Sequence, residues 1–294
     1  MAETPFRRLV VIGIGLIGSS LARVARREHL AERIVGADLS AEVRQKALAL
    51  GIVDEVEADL ARAAAGADLV VIATPVSAYG AIARAIAPHL PDGAIVTEVG
   101  SVKRAAIRDI APALRPGVHF VPGHPVAGTE HSGPEAGFAE LFEGRWCILT
   151  PLPDGDPAAV ARVAWLWQRA GSKVETMDAD HHDLVLAITS HLPHLIAYTI
   201  VGTATDLEEH LKGEVIKYSA GGFRDFTRIA ASDPVMWRDV FLNNRDAVLE
   251  MLGRLYEDIA ILQRAIRVGD GATLEAHFTR TRAIRRGIIA ANQA

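Results

Sequence analysis

The sequence predicts an α/β chain: a Rossmann-type doubly wound sheet over residues 1–177, followed by an all-helical dimerisation domain over residues 178–294. Three observations carry this expectation. Short β-branched runs alternate with helical stretches as far as Met177, the rhythm of βαβ units in a parallel sheet. A glycine-rich turn, GIGLIG, stands between the first strand and the helix that it opens. From His181 onward the β pattern disappears.

Taken in order, LVVIG (9–13) is the first strand and residues 15–27 the first helix; RIVGAD (33–38) is a second strand ending on an acid. A helix over 41–50, a strand at DLVVIAT (68–74), a helix over 77–87 and a strand at AIVTEVG (94–100) repeat the pattern, so five or more parallel strands are expected. HFVPGHP (119–125) and RWCILTP (145–151) supply later strands. PLPDGDP resembles a linker, but a helix over 158–170 and the strand SKVETMD (172–178) continue the rhythm beyond it. Helices are then expected over 179–203, around 208–217, over 235–267 and over 271–292. In the last two, residues such as Val248, Leu252, Leu255, Ile259 and Leu262 recur at three- and four-residue steps, an amphipathic stripe. A helical module with this much apolar surface completes its core against a second copy, so a homodimer is expected.

Composition narrows the function. Of 294 residues, 50% are hydrophobic and 23% charged, which is ordinary globular usage and excludes disorder or a fibrous repeat. The net charge of -5 comes from 31 basic and 36 acidic residues with no basic run, so no nucleic acid partner is expected. A single cysteine, Cys147, excludes an intrachain disulfide and reads as a buried hydrophobe in a reducing compartment. The N-terminus lacks the apolar region of a secretory signal, so the expected location is cytoplasmic. The one membrane-like stretch, Leu184 to Val201, contains Ser190, His191, Pro193 and His194 and is expected to be a buried helix, with no membrane partner.

Gly13, Gly15 and Gly18 form a G-x-G-x-x-G at a strand-to-helix turn. Such a turn lets a pyrophosphate approach the backbone at the positive end of a helix. Asp38 closes the second strand, twenty residues after Gly18, where an acid accepts hydrogen bonds from the adenosine ribose. That predicts NAD as cofactor, because a carboxylate repels the 2′-phosphate of NADP. Thr74 and Pro75 end the next long strand on the same carboxyl edge, either beside the cofactor or as an ordinary turn.

Two polar motifs end the following strands on that edge: Glu98 to Lys103 (EVGSVK), and Gly123 to Gly128 (GHPVAG). A histidine with an ordinary pKa of about 6.5 suits proton removal from an alcohol as hydride leaves the same carbon. His124 is then either this base or a loop histidine, with Ser101 placed to orient it. His181, His182 and Asp183 read as the start of a helix, with Asp183 suited to its positive end. His191 and His194 stand three apart on a helix, a spacing that also suits a metal, but with no cysteine nearby none is expected.

EVGSVK, GHPVAGTEHSG, SHLPH, GGFRDFTRIA and SDPVMW, in this order behind GIGLIG, resemble the prephenate/arogenate (cyclohexadienyl) dehydrogenase family of tyrosine biosynthesis over nearly the whole chain. Glu98 departs from the aspartate usual there. The resemblance implies oxidative decarboxylation of prephenate to 4-hydroxyphenylpyruvate with NAD, arogenate staying open as a second substrate. It implies His124 as acceptor of the ring hydroxyl hydrogen bond with Ser101 ordering that contact, and Arg228 as a fork for the ring carboxylate. Glu130 either holds Arg228 or gates the pocket. His194, next to Ser190 in SHLPH, meets the substrate side chain. Trp237 either covers the pocket or sits in the helical core. No fused mutase or C-terminal regulatory domain is expected. A β-hydroxyacid dehydrogenase is the enzymatic rival, but it needs a catalytic lysine on the helical domain, and past residue 178 the lysines are Lys212 and Lys217, in a polar stretch. A non-catalytic dinucleotide sensor is the other alternative, with no use for His124 and Arg228 together.

Overall fold

The computed structural model describes residues 4–129, 131–206, 213–214, 217–218 and 221–290. They form two compact units, Met1–Arg245 and Asp246–Ala294.

In the first unit, eight strands among the described residues form one sheet in the order β3-β2-β1-β4-β5-β6-β7-β8: β1 Phe6–Ile12, β2 Ala31–Ala37, β3 Glu55–Glu57, β4 Leu69–Ile72, β5 Ile95–Glu98, β6 His119–Pro125, β7 Trp146–Leu149 and β8 Lys173–Thr176. All neighbours are parallel except β6 and β7, which run antiparallel with His124 opposite Ile148. The reversal of strand order at β1 and β4 opens the crevice where such sheets bind ligands. Helices α1 (Leu16–Arg27), α2 (Ala41–Ala49) and α6 (Pro157–Arg169) cover one face, and α3 (Leu60–Ala64), α4 (Tyr79–Ile86) and α5 (Lys103–Ile110) the other. Alternation along β1 divides the core accordingly. Leu9 and Val11 pack with Leu21 and Val24 of α1, while Val10 and Ile12 pack with Tyr79 and Ile86 of α4. Buried on both faces, β1 reads as an unbroken apolar run.

The expected strands and the helices over 15–27, 41–50, 77–87 and 158–170 are present, with shifts of one to three residues at their ends. The short β3, α3 and α5 are additions. Beyond β8 the unit continues with α7 (Ala179–Leu186), a π-helical turn at Ala187–His191, α8 (Leu192–Thr205), α9 (Gly221–Thr227) and α10 (Pro234–Asn243). The helix expected over 179–203 is therefore interrupted. Pro193 has no N–H to continue the ladder, and the widened turn absorbs the loss. The expectation of a buried helix there is corrected: Ala179–Thr205 is long and apolar enough to cross a membrane, yet only 22% of its most apolar window is buried within this chain. The expectation for 208–217 falls mostly outside the described residues. The single helix expected over 235–267 is two, α10 and α11 (Arg245–Val268), because Asn244 caps α10 in a non-helical conformation.

The second unit consists of the rest of α11 and α12 (Gly271–Ala290), joined by a turn at Gly269, whose φ of +71° suits glycine. The Asp270 carboxylate accepts from the Thr273 N–H and hydroxyl at 3.0 and 2.7 Å and so starts α12. Tyr256, Ile259, Ile266, Phe278 and Ile284 are exposed along these helices.

At the carboxyl ends of β5 and β6, the fully buried ammonium of Lys103 donates to Glu98 Oε1 and to the Gly123 carbonyl. Removing one partner of a buried pair strands the other charge, at about 3–5 kcal/mol. Lys103→Met is therefore expected to lose stability in that range in denaturant unfolding, and Glu98→Gln combined with Lys103→Met to lose less. A loss below about 1 kcal/mol in the single variant would show that the pair does not hold the strands.

Candidate active site

The glycine turn has the shape that a dinucleotide needs. Gly13 has a φ of +91°, and a Cβ there would sit 2.6 Å from the Ala73 carbonyl oxygen; one on Gly18 would sit 2.0 Å from the Gly13 oxygen. A Cβ on Gly15 would meet nothing within 4 Å, so the backbone opens to a ligand just where α1 begins. Gly15 itself caps α1, with no side-chain cap and no acid in the first turn, leaving the first N–H groups and the helix dipole available to a phosphate. Asp38, just past β2, accepts from Ile14 N at 3.0 Å and from Ser40 N at 2.9 Å, which pins its carboxylate beside the turn. Thr74 and Pro75 follow β4 and abut the turn, Thr74 Cγ2 lying 2.9 Å from where a Gly13 Cβ would stand.

On the same edge, Glu98 ends β5, and Oε2 of its carboxylate accepts from Gly100 N at 2.8 Å. Burial raises the Glu98 pKa and lowers that of Lys103, each opposed by the attraction between them. Ser101 is half-buried just before α5. His124, near the end of β6, is buried, and its ring contact comes from the helical segment: Nδ1 lies 2.9 Å from His182 Nε2, the rings meeting edge-on at 5.1 Å. Burial holds the His124 pKa well below its ordinary value, helped by His182, Lys103 and His191. The ring is thus neutral at neutral pH. His182 is depressed by burial as well, with Asp183 opposing.

The capping role expected for His181, His182 and Asp183 is corrected. α7 begins at Ala179, and Asp178 just before it is the cap, accepting from Asp180 N and His181 N at 2.8 and 3.2 Å, so that His181 to Asp183 lie inside the helix. Asp183 instead reaches across to α5, where its oxygens accept from Lys103 N at 2.7 Å and Arg104 N at 3.0 Å. Its Oδ1 also lies 2.9 Å from His182 Nδ1.

Around the π turn, His191 is fully buried and its Nδ1 accepts from Asn244 at 3.0 Å; burial pushes its pKa down to about 4. His194 donates from Nδ1 to the Ser190 carbonyl at 2.8 Å and stacks on Trp237 with ring centroids 3.7 Å apart. Burial lowers the His194 pKa, the Ser190 carbonyl opposes this, and Arg228 adds to the lowering. Trp237 is buried and packs with Phe241 in the core, the second of the two places expected for it. Arg228 is exposed at the start of a short 3₁₀ turn after α9, close enough for His194 to feel its charge. Glu130 lies outside the described residues. Among those described, no three His, Cys, Asp or Glu side chains are arranged to hold one metal ion.

His124, His182, His191 and Asp183 thus gather on one edge with the buried Lys103. His182, Asp183 and Asn244 were missed as site residues; the adjacent H-H-D just past a strand is the signal that could have found them.

Residues 21–176 match the family model described as "Prephenate dehydrogenase, nucleotide-binding domain", and residues 178–280 the one described as "Prephenate dehydrogenase, dimerization domain". The chain belongs to the prephenate dehydrogenase family. Within that family it is 42% identical to a cyclohexadienyl dehydrogenase of Zymomonas mobilis, over 96% of each chain, and 34% identical to the prephenate dehydrogenase of Bacillus subtilis, over 95% of this chain and 76% of that one. Among solved structures, the prephenate dehydrogenase of Aquifex aeolicus in complex with hydroxyphenyl propionate and NAD+ superposes with a TM-score of 0.90 at 34% identity, covering 97% of this chain and 99% of that one. As a member of this family the chain is a dehydrogenase, and the open turn at Gly15 is suited to NAD.

The place of the Asp38 carboxylate beside the turn makes it the residue to vary for cofactor preference. Asp38→Ala is expected to narrow the NAD over NADP ratio of kcat/KM roughly tenfold, the equivalent of about 1.4 kcal/mol of repulsion. An unchanged ratio would remove Asp38 from the ribose site.

Proposed function

We infer that this chain catalyses the oxidative decarboxylation of prephenate to 4-hydroxyphenylpyruvate with NAD. The single observation that carries the assignment of roles is the buried His124 on the same sheet edge as the glycine turn. NAD held at the glycine turn would supply the acceptor for the hydride on the ring carbon that bears the hydroxyl. His124 takes the hydroxyl proton. Ser101 orders the hydroxyl, Arg228 holds the ring carboxylate, Glu130 either pairs with Arg228 or gates the pocket, and His194 with Ser190 meets the substrate side chain together with Trp237. Gly13, Gly15, Gly18 and Asp38 hold the dinucleotide, with Thr74 and Pro75 along its edge. As carbon dioxide leaves, its bonding pair stays with the ring, the ring oxygen recovers the proton from His124, and formation of the aromatic phenol drives the reaction forward. Arogenate differs only in the side chain, remote from this chemistry, and is a candidate second substrate.

The functional division lies near Met177, with cofactor residues before it and side-chain and dimer contacts after it. The exposed Tyr256, Ile259, Ile266, Phe278 and Ile284, and the little-buried apolar helix at Ala179–Thr205, support a homodimer in which a second copy, and not lipid, covers these surfaces. A reducing cytoplasm suits the lone buried thiol of Cys147.

His124→Asn keeps a hydrogen-bonding amide but cannot take a proton. Its kcat with prephenate is expected to fall by about 10²- to 10⁴-fold, with NAD affinity unchanged. Near-normal turnover in the folded variant would transfer the role of base to another group.

A further inference from the structure

We propose that His182 and Asp183 are positioning residues for the reaction at His124, forming a carboxylate–imidazole–imidazole relay that fixes His124 with its proton on Nδ1 and its Nε2 bare. The proposal rests on the reading of His124 as base. It follows from counting donors along three hydrogen bonds.

Asp183 receives two backbone N–H groups at the start of α5, at 2.7 and 3.0 Å, and an ionised carboxylate can only accept. His182 Nδ1, 2.9 Å from the same carboxylate, must therefore be the donor. A neutral imidazole carries one proton, so His182 Nε2 is left as an acceptor. His124 Nδ1, 2.9 Å away, must then donate to it. What remains on His124 is a bare Nε2, the form able to accept a proton. The opposite arrangement, with the proton on Nε2, would present a donor and no base.

The surroundings support neutral rings. His182 and Asp183 are 0% and 2% exposed, and Asn244 donates to the Asp183 carbonyl at 2.8 Å, holding this stretch of α7 in place. The charged and titratable groups facing His124 are His182, Lys103 and His191, with Asp183 behind His182 and Glu98 paired to Lys103. Burial disfavours a second proton on either ring, His182, Lys103 and His191 adding to this at His124, and Lys103 adding to it at His182 against the opposing Asp183 carboxylate. When His124 Nε2 takes the hydroxyl proton, the O–H bond breaks, an N–H bond forms, and the resulting imidazolium still donates from Nδ1 toward the Asp183 charge through His182.

Asp183→Asn tests the relay by inverting it. With its amide N–H at the Oδ1 position the His182 proton, and thence the His124 proton, moves to Nε2; with its oxygen there, the carboxylate charge that draws the His182 proton to Nδ1 is still lost. The expected result is a fall in kcat of roughly 10²-fold or more, with little change in KM for prephenate or in NAD affinity. ¹⁵N spectra of histidine-labelled protein should show the His124 proton moving from Nδ1 to Nε2. Because Asp183 also caps α5, His182 is varied separately with Asp183 intact. His182→Gln can accept from His124 and donate to Asp183, so it should retain much of the rate; His182→Phe fills the space without the relay and should lose it. A near-normal kcat in folded His182→Phe, or a wild-type His124 protonated on Nε2, would overturn the relay. Loss of activity in His124→Asn together with normal activity in both His182→Phe and Asp183→Asn would reject the relay alone. Normal activity in His124→Asn would reject the underlying assignment instead.

Discussion

Lys103 is the residue on which the chemical edge depends. Burying an ammonium costs several kcal/mol, which is tolerable only where its donors are satisfied. Here its head group joins Glu98 at the end of β5 to the Gly123 carbonyl on β6, one residue before His124. Its backbone N–H points the other way and meets Asp183 on α7. One residue therefore ties β5, β6 and α7, the first helix beyond β8, into a single corner. The loop that carries Ser101 runs between the two ends of the Glu98–Lys103 pair, so its path is set by the same contact.

That corner also sets the electrostatics. Burial first, then His182 and the Lys103 cation, make a second proton on the ring unfavourable, and the neutral ring is the state a general base requires. The sheet beneath is packed on both faces, by Leu9 and Val11 on one side and Val10 and Ile12 on the other, so the strand ends that carry Asp38, Thr74, Glu98 and His124 are held without depending on loops alone. The cofactor half of the edge is built differently, from absent side chains. At Gly13 and Gly18 a Cβ would strike backbone, and at Gly15 it would occupy the space offered to a ligand.

Much of this was legible in the sequence where the controlling interactions are local. The β-branched runs of β1, β2, β4 and β5 announce a parallel sheet, and Gly13 to Asp38 announces a dinucleotide, because spacing within one βαβ unit carries the geometry. The edge strand β3 escaped notice since EVE has no apolar run, and α3 is only five residues long. The antiparallel turn at β7 could not be read, for direction depends on how the chain returns after residue 125, not on the pattern of the strand. His124 was legible as a polar residue closing a strand. Its partner was not: His182 stands 58 residues away, and an H-H-D triplet reads as solvated helix start until burial shows which of its members face inward. The π turn likewise follows from Pro193, yet its use in turning His191 and His194 toward Trp237 is a tertiary fact.

The central claim is that His124 is a base held neutral by its surroundings. The most direct test is the pH dependence of kcat/KM for prephenate, followed by NADH formation with saturating NAD, since this quantity reports ionisations of the enzyme before substrate binds. A depressed histidine keeps its active, neutral form until pH falls through the lowered pKa. The rate should therefore stay level through neutral pH, and its acid limb should fall clearly below the ordinary histidine value of about 6.5. An acid limb centred at or above that value would contradict the account.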